Sequence, residues 1–162
     1  MQVSRSIPTE DEWSWGSTEC PFFYLDINHA REKFIGKSIE EVLPYFFGAV
    51  LGAQEDISHM PPIPFRYYIF AFTRFLMSED ARSGYSRNSE AQDGASSFLQ
   101  LVRNTLRDRP DFILPVMEDL LPTVEFVATH QDVYEADKDI YGSFLDLLKE
   151  IKNLLAAQNR WC

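Results

Sequence analysis

Apolar side chains recur along most of the chain at the three- and four-residue spacing of an α-helix. The pattern is strongest between residues 64 and 77, where the remaining faces also carry rings and aliphatic groups. The apolar positions there are Phe65, Tyr67, Tyr68, Ile69, Phe70, Phe72, Phe75, Leu76 and Met77. A helix that is apolar nearly all round is buried, so this segment predicts the core helix. Pro64 suits its first position, where a missing N–H costs nothing.

Three further segments, near 95–108, 113–127 and 137–157, show one apolar face and one polar face. Pro122 predicts a kink or a restart within the second of these segments, because its ring clashes with the preceding helical turn. The third is the most regular and predicts a single helix of about 30 Å. Its predicted buried face consists of Ile140, Phe144, Leu147, Leu148, Ile151, Leu154 and Leu155.

Local signals mark several helix ends. Ser38–Glu41 forms a capping box, in which the serine hydroxyl and the glutamate carboxylate each bond the other residue's backbone N–H. The helix that it opens should run toward Gly52 with a kink at Pro44. Gly36 suits the left-handed position that follows a helix.

The pattern favours one helical domain without β-sheet. Residues 1–25 predict an irregular arm, and residues 26–162 a single helical domain with a flexible loop near 79–97. The only candidate strand is the aromatic run Phe22–Leu25. The predicted fold is all-α, a compact bundle of about five to seven antiparallel helices, partly kinked by proline.

The charge of the chain narrows the classes of partner. Twenty-five acidic residues against 15 Lys and Arg give a net charge of −10. A negative field repels nucleic acid and anionic membranes, and it favours basic proteins. We therefore expect a basic protein as partner, and neither nucleic acid nor a membrane.

The cysteines and the N-terminus favour a cytoplasmic protein. Cys20 and Cys162 lie far apart and have neither metal-binding nor redox spacing. The first residues lack the apolar stretch of a signal peptide, and no run is long enough to span a membrane.

Residues that carry out chemistry form no recognisable motif. The three histidines are scattered, and no serine or cysteine lies in a known nucleophile motif. We expect no catalytic site, no metal and no cofactor. The enzymatic alternative is a helical, metal-assisted hydrolase in which His59, His130 and Asp132 meet in space.

Acidic residues are concentrated in the segment 118–146, which holds eight carboxylates and one lysine. One interpretation is a solvated face, partly neutralised by the seven arginines between residues 66 and 109. The other is a docking surface for a cationic partner, since charge pairs at an interface set specificity and association rate. Glu118, Glu125 and Asp132 are spaced by seven and would share one side of a near-continuous helix. The predicted partner-binding residues are Glu118, Glu125, Asp132, Tyr134, Glu135 and Asp137.

The segment Asp56–Phe72 resembles a pattern seen in uncharacterised bacterial helical proteins. In that pattern an acidic-Ile or acidic-Leu turn leads through prolines into F-R-Y-Y-x-x-A, here beginning at Phe65. Some of these small acidic proteins resemble toxin-immunity proteins. The resemblance implies a bacterial source and a structural motif without an active residue.

These observations favour a protein-binding module, most concretely an immunity-type inhibitor that neutralises a toxin or effector through its acidic surface. A third hypothesis is a structural or adaptor protein, in which the apolar face of the last helix pairs in a homodimer.

Overall fold

The computed structural model describes residues 5–14, 24–83 and 90–159. Within these ranges the regular elements are α-helices and short 3₁₀ segments without a strand, which confirms the all-α prediction. The 3₁₀ segments are Glu10–Trp13 and Leu114–Val116. The helices are α1 Tyr24–Phe34, α2 Ile39–Gly48, α3 Val50–Ser58, α4 Pro62–Met77, α5 Glu79–Arg82, α6 Ala91–Asp108, α7 Pro110–Ile113, α8 Met117–Thr129, α9 Lys138–Tyr141 and α10 Phe144–Asn159.

The described helices outnumber the predicted five to seven because two predicted helices are divided and because the short helices α5 and α7 were not predicted. The helix predicted to reach Gly52 breaks at Ala49, whose backbone lies outside the helical region at φ −158° and ψ 66°. The final predicted helix breaks at Gly142, which has a positive φ of 74° that a side chain would disfavour.

Helix α4 is the core helix, as predicted, and most of its side chains are buried. It begins at Pro62, two residues before the predicted start, with Pro61 extended in front of it. The Phe72 ring packs edge-on against Phe98 of α6 at 5.2 Å and tilted against Phe46 of α2 at 5.5 Å. Aromatic packing of this kind joins the first and second halves of the chain in one core.

The predicted signals between α1 and α2 are confirmed. The Ser38 hydroxyl accepts the Glu41 N–H at 3.2 Å, and the Glu41 carboxylate accepts the Ser38 N–H at 2.7 Å. Gly36 has a φ of 71° just after α1. The Tyr68 hydroxyl closes this corner: its oxygen lies 2.6 Å from the Phe34 carbonyl and 2.7 Å from the Lys37 carbonyl, and its single proton is shared between these two acceptors.

The predicted loop at 79–97 is too long at both ends. Ser78 accepts the Ala81 N–H and starts α5, and α6 begins at Ala91. Gly94 lies inside α6, where a Cβ would come within 2.9 Å of the Phe75 ring and 3.1 Å of Val50. It therefore permits close helix packing rather than marking a loop, whereas the middle of the predicted loop, 84–89, lies outside the described residues.

In the described part of the predicted N-terminal arm lies the 3₁₀ segment Glu10–Trp13, whose Trp13 ring packs 5.9 Å from Tyr68. Helix α1 begins at Tyr24, inside the predicted arm. Cys20, Cys162 and the first half of the candidate strand Phe22–Leu25 lie outside the described residues. Its second half, Tyr24 and Leu25, begins α1 and is helical.

Helix α10 packs against α6 and α8 and buries Phe144, Leu147, Leu148 and Ile151. The face proposed for dimerisation is therefore used largely inside the fold. Among the described residues, no helix combines the length and apolar character that crossing a bilayer requires.

Candidate partner-binding surface

Four exposed carboxylates lie in the segment 130–143, which we call the acidic loop and which includes α9. They belong to Asp132, Glu135, Asp137 and Asp139, and with the single lysine Lys138 they give the loop a net charge of −3. No described Lys, Arg or His group lies within 4.0 Å of any of these four carboxylates. The fold leaves their charge available to a partner.

Gln131 shapes the acidic loop from beneath. Its side-chain amide nitrogen donates to the Ala136 carbonyl at 3.0 Å and to the Gly142 carbonyl at 2.8 Å. Its amide oxygen accepts the backbone N–H of Phe144, the first residue of α10, at 3.0 Å. Gln131 is buried, so these three bonds fix both ends of the loop in a region poor in water.

Tyr134 is the second anchor of the loop, and its assignment as a partner-binding residue is wrong. Its side chain is only 1% exposed, and its hydroxyl donates to the Leu76 carbonyl of α4 at 2.7 Å. Burial raises the pKa of Tyr134 above its ordinary value, so the hydroxyl stays a donor. The next residue, Glu135, has a φ of 54° and an exposed side chain.

Two of the predicted acidic residues lie on α8 rather than in the acidic loop. Glu125 is half-buried and pairs with Lys152 of α10 at 3.0 Å. Glu118 is exposed in the first turn of α8, about 16 Å along the helix from its last residue. The predicted line through Asp132 is wrong because α8 ends at Thr129 and Asp132 lies in the turn beyond it. Asp132, Glu135 and Asp137 share one loop, and Glu118 and Glu125 stand apart from it.

Asp137 has a structural role as well as a charge. Its carboxylate accepts the Asp139 N–H at 2.8 Å and caps the N-terminus of α9. A negative charge also suits that end of the helix. Replacing Asp137 would therefore alter the loop as well as its charge.

The surface also carries an apolar side chain that sequence analysis missed. Ile140 is 75% exposed, although its spacing placed it on the buried face of one long final helix. Gly142 separates α9 from α10, and Ile140 no longer shares the face of the buried α10 residues. Leu145, in the first turn of α10, is also 53% exposed. A glycine within the apolar pattern was the available signal.

Tyr141 fastens α9 to α6. Its hydroxyl donates to the Asp93 carboxylate at 2.6 Å, and its ring is half-buried. This hydrogen bond, followed by burial, raises the pKa of Tyr141 to about 12. Together with Gln131 and Tyr134, it makes the acidic loop an ordered surface.

The residues proposed for a metal-assisted hydrolase do not converge. His130 stacks on Phe126 with 4.1 Å between the ring centroids, and its Nδ1 lies 2.8 Å from the Phe126 carbonyl. His59, at the end of α3, lies 3.8 Å from Asp26. Among the residues with described positions, no three His, Cys, Asp or Glu side chains are placed to bind one metal ion.

Comparisons of the chain with protein-family models, with curated proteins and with solved structures find no match. The resemblance of residues 56–72 to small acidic bacterial proteins stays a prediction. In the structure that segment includes the end of α3 and much of α4, where Phe65, Tyr68 and Phe72 are buried. Its aromatic residues serve the core.

Proposed function

We propose that the protein is a binding module, an immunity-type inhibitor that neutralises a basic toxin or effector protein through the acidic loop. The observation that supports this proposal is the ordered display of four exposed carboxylates that have no cationic partner within 4.0 Å in the described part of the chain. Basic groups on a partner would pair with these carboxylates, steer the encounter and fix its orientation.

Preorganisation strengthens the case for binding. A flexible acidic segment would lose conformational entropy on association. Each side chain that had to become ordered on binding would reduce the affinity. Gln131 and Tyr134 fix the backbone of the acidic loop before any partner arrives. The loop can therefore meet a partner with little reorganisation.

Ile140 supplies the apolar contact that an acidic surface alone lacks. Full burial of an isoleucine side chain contributes about 1.5–3 kcal/mol. The neighbouring residue Asp139 and the nearby Asp137 are exposed and charged. An apolar contact with charged neighbours matches the usual arrangement of an interface, in which polar groups surround a dry centre.

The test uses a triple charge reversal, Asp132→Lys, Glu135→Lys and Asp139→Lys, in the full chain. This set spares Asp137, whose loss would remove the helix cap. The matched control reverses three exposed acids outside the acidic loop, Asp11, Glu32 and Asp80.

Each protein is immobilised and exposed to soluble extract of the native host, and captured proteins are identified by mass spectrometry. We expect the wild type and the control variant to capture the same basic protein, and the loop variant to lose it. Purified partner should be inhibited by the wild type and not by the loop variant. Equal capture by all three proteins would refute the proposal.

A further inference from the structure

A small cleft lies between α3 and α6, outside the acidic loop. Its volume is about 280 Å³, just below the roughly 300 Å³ at which small-molecule sites commonly begin. Amide and hydroxyl side chains form most of its wall, and Asp108 and Arg109 lie at the end of α6. The remaining lining residues are Gln54, Ser58, Ser97, Gln100, Leu101, Asn104 and Thr105.

Arg109 is the cationic group of this cleft. It is half-buried, donates one hydrogen bond to the Ser58 carbonyl at 2.9 Å, and lies 4.7 Å from the centre of the Phe112 ring. No carboxylate in the described ranges lies within 4.0 Å of its guanidinium group. Burial lowers the pKa of Arg109, and the charges of Asp108 and Asp111 offset that effect only in part.

The carboxylate of the adjacent Asp108 is already paired with another arginine, Arg107. Both of its carboxylate oxygens accept hydrogen bonds from Arg107, at 2.8 and 2.9 Å. Several of the other arginines pair with carboxylates, as Arg103 does with Glu150. Arg109 thus combines a half-buried guanidinium group, no paired carboxylate among the described residues and a position in the wall of the cleft, where a bound anion would pair with its charge. Arg66 is also half-buried without a paired carboxylate among those residues, but it donates to the Asp111 and Phe112 carbonyls and does not line the cleft.

The amides around Arg109 leave hydrogen-bonding groups for a ligand. The side-chain oxygen of Asn104 accepts a hydrogen bond from Arg103 at 3.1 Å, which leaves the NH₂ group of Asn104 to donate to a ligand. The side-chain nitrogen of Gln100 donates to Ser96 at 3.0 Å, which leaves the side-chain oxygen of Gln100 to accept from a ligand. These groups suit a polar molecule with both donors and acceptors.

We propose that this cleft binds a small polar metabolite through a single carboxylate, which pairs with the Arg109 guanidinium group. A carboxylate matches the planar donor geometry of arginine, and a charge-assisted pair is stronger than a neutral hydrogen bond. A phosphate dianion fits less well, because Asp108 and Asp111 would repel its second charge. The size of the cleft limits the ligand to a small molecule.

The probes are N-acetylglycine and N-acetylglycinamide, which differ only in the carboxylate, together with inorganic phosphate. Binding is followed by ¹⁵N-resolved NMR titration of the full chain, with the backbone amides of Ser58 and Thr105 as reporters. We expect N-acetylglycine to shift these signals and to bind about tenfold more tightly than its amide or phosphate. Equal binding of the acid and the amide, tighter binding of phosphate, or no shift with N-acetylglycine would overturn the proposal.

Arg109→Gln removes the proposed charge, and Arg74→Gln is the control because Arg74 is exposed on α4 and does not line the cleft. We expect Arg109→Gln to weaken N-acetylglycine at least tenfold and Arg74→Gln to leave its affinity unchanged. If Arg109→Gln fails to fold, Asn104→Asp replaces it, because the new carboxylate in the wall should repel the ligand. Unchanged affinity in whichever cleft variant folds would contradict the assignment.

Discussion

Replacing Gln131 with methionine keeps an unbranched side chain of similar length but removes its three hydrogen bonds in the acidic loop. The Ala136 carbonyl, the Gly142 carbonyl and the Phe144 N–H would lose their partner. Gly142 is exposed, so water can replace the bond to its carbonyl. Ala136 and Phe144 are buried, and their polar groups would remain without a partner.

A buried polar group left without a partner costs about 1–3 kcal/mol, and two such groups predict a loss of about 2–6 kcal/mol. Urea unfolding followed by circular dichroism measures the change in the free energy of unfolding. The control is Gln158→Met on α10, because Gln158 is half-buried and makes no hydrogen bond through its side chain among the described residues. The control should stay within about 0.5 kcal/mol of the wild type.

Hydrogen exchange locates the effect. The Phe144 amide donates to Gln131, so we expect its protection to fall sharply in Gln131→Met and to stay unchanged in the control. A loss of stability below about 0.5 kcal/mol in Gln131→Met, or an unchanged exchange rate at Phe144, would refute the role of Gln131 in ordering the loop.

Three further changes test other parts of the structure. Tyr134→Phe removes the bond to the Leu76 carbonyl and should lower the free energy of unfolding by about 1 kcal/mol in urea unfolding; an unchanged value would contradict the anchor. Gly94→Ala adds a Cβ 2.9 Å from the Phe75 ring, so overpacking should exceed the gain in helix propensity and cost about 1 kcal/mol. A more stable variant would show that the helices are not in close contact there. Tyr141 has a pKa of about 12 in the folded state against an ordinary value of about 10, so its contribution is complete below pH 10 and is lost as the pH rises toward 12. Between pH 9 and pH 11 the urea midpoint should therefore fall more in the wild type than in Tyr141→Phe. An equal fall in both proteins would contradict the assignment.

Features set by neighbouring residues were predictable from the sequence. The capping box of Ser38 and Glu41 needs only residues three apart, and the apolar pattern of α4 needs only one helix. Gly94 was misjudged as part of a loop because its role depends on Phe75, which lies on another helix. Close packing between distant elements leaves no local mark in the sequence.

In the candidate site, too, local features were predictable from the sequence and contacts between distant residues were not. Charge counting located the carboxylates near residue 132, because the number of acids is a property of the sequence alone. Tyr134 was assigned to the surface because aromatic residues are common at interfaces. It is buried because its hydroxyl bonds to Leu76, which lies 58 residues earlier in the sequence. The exposure of Ile140 followed from the break at Gly142, which interrupts an otherwise regular helical pattern.

Site-specific crosslinking tests the docking surface most directly. A photoreactive benzoylphenylalanine at position 140 is compared with the same residue at position 51, where Leu51 is exposed on α3. In the native host, we predict a crosslink from position 140 to one basic protein, lost when Asp132, Glu135 and Asp139 are reversed to lysine. No crosslink at position 140, or the same crosslinked proteins from both positions, would contradict the docking surface.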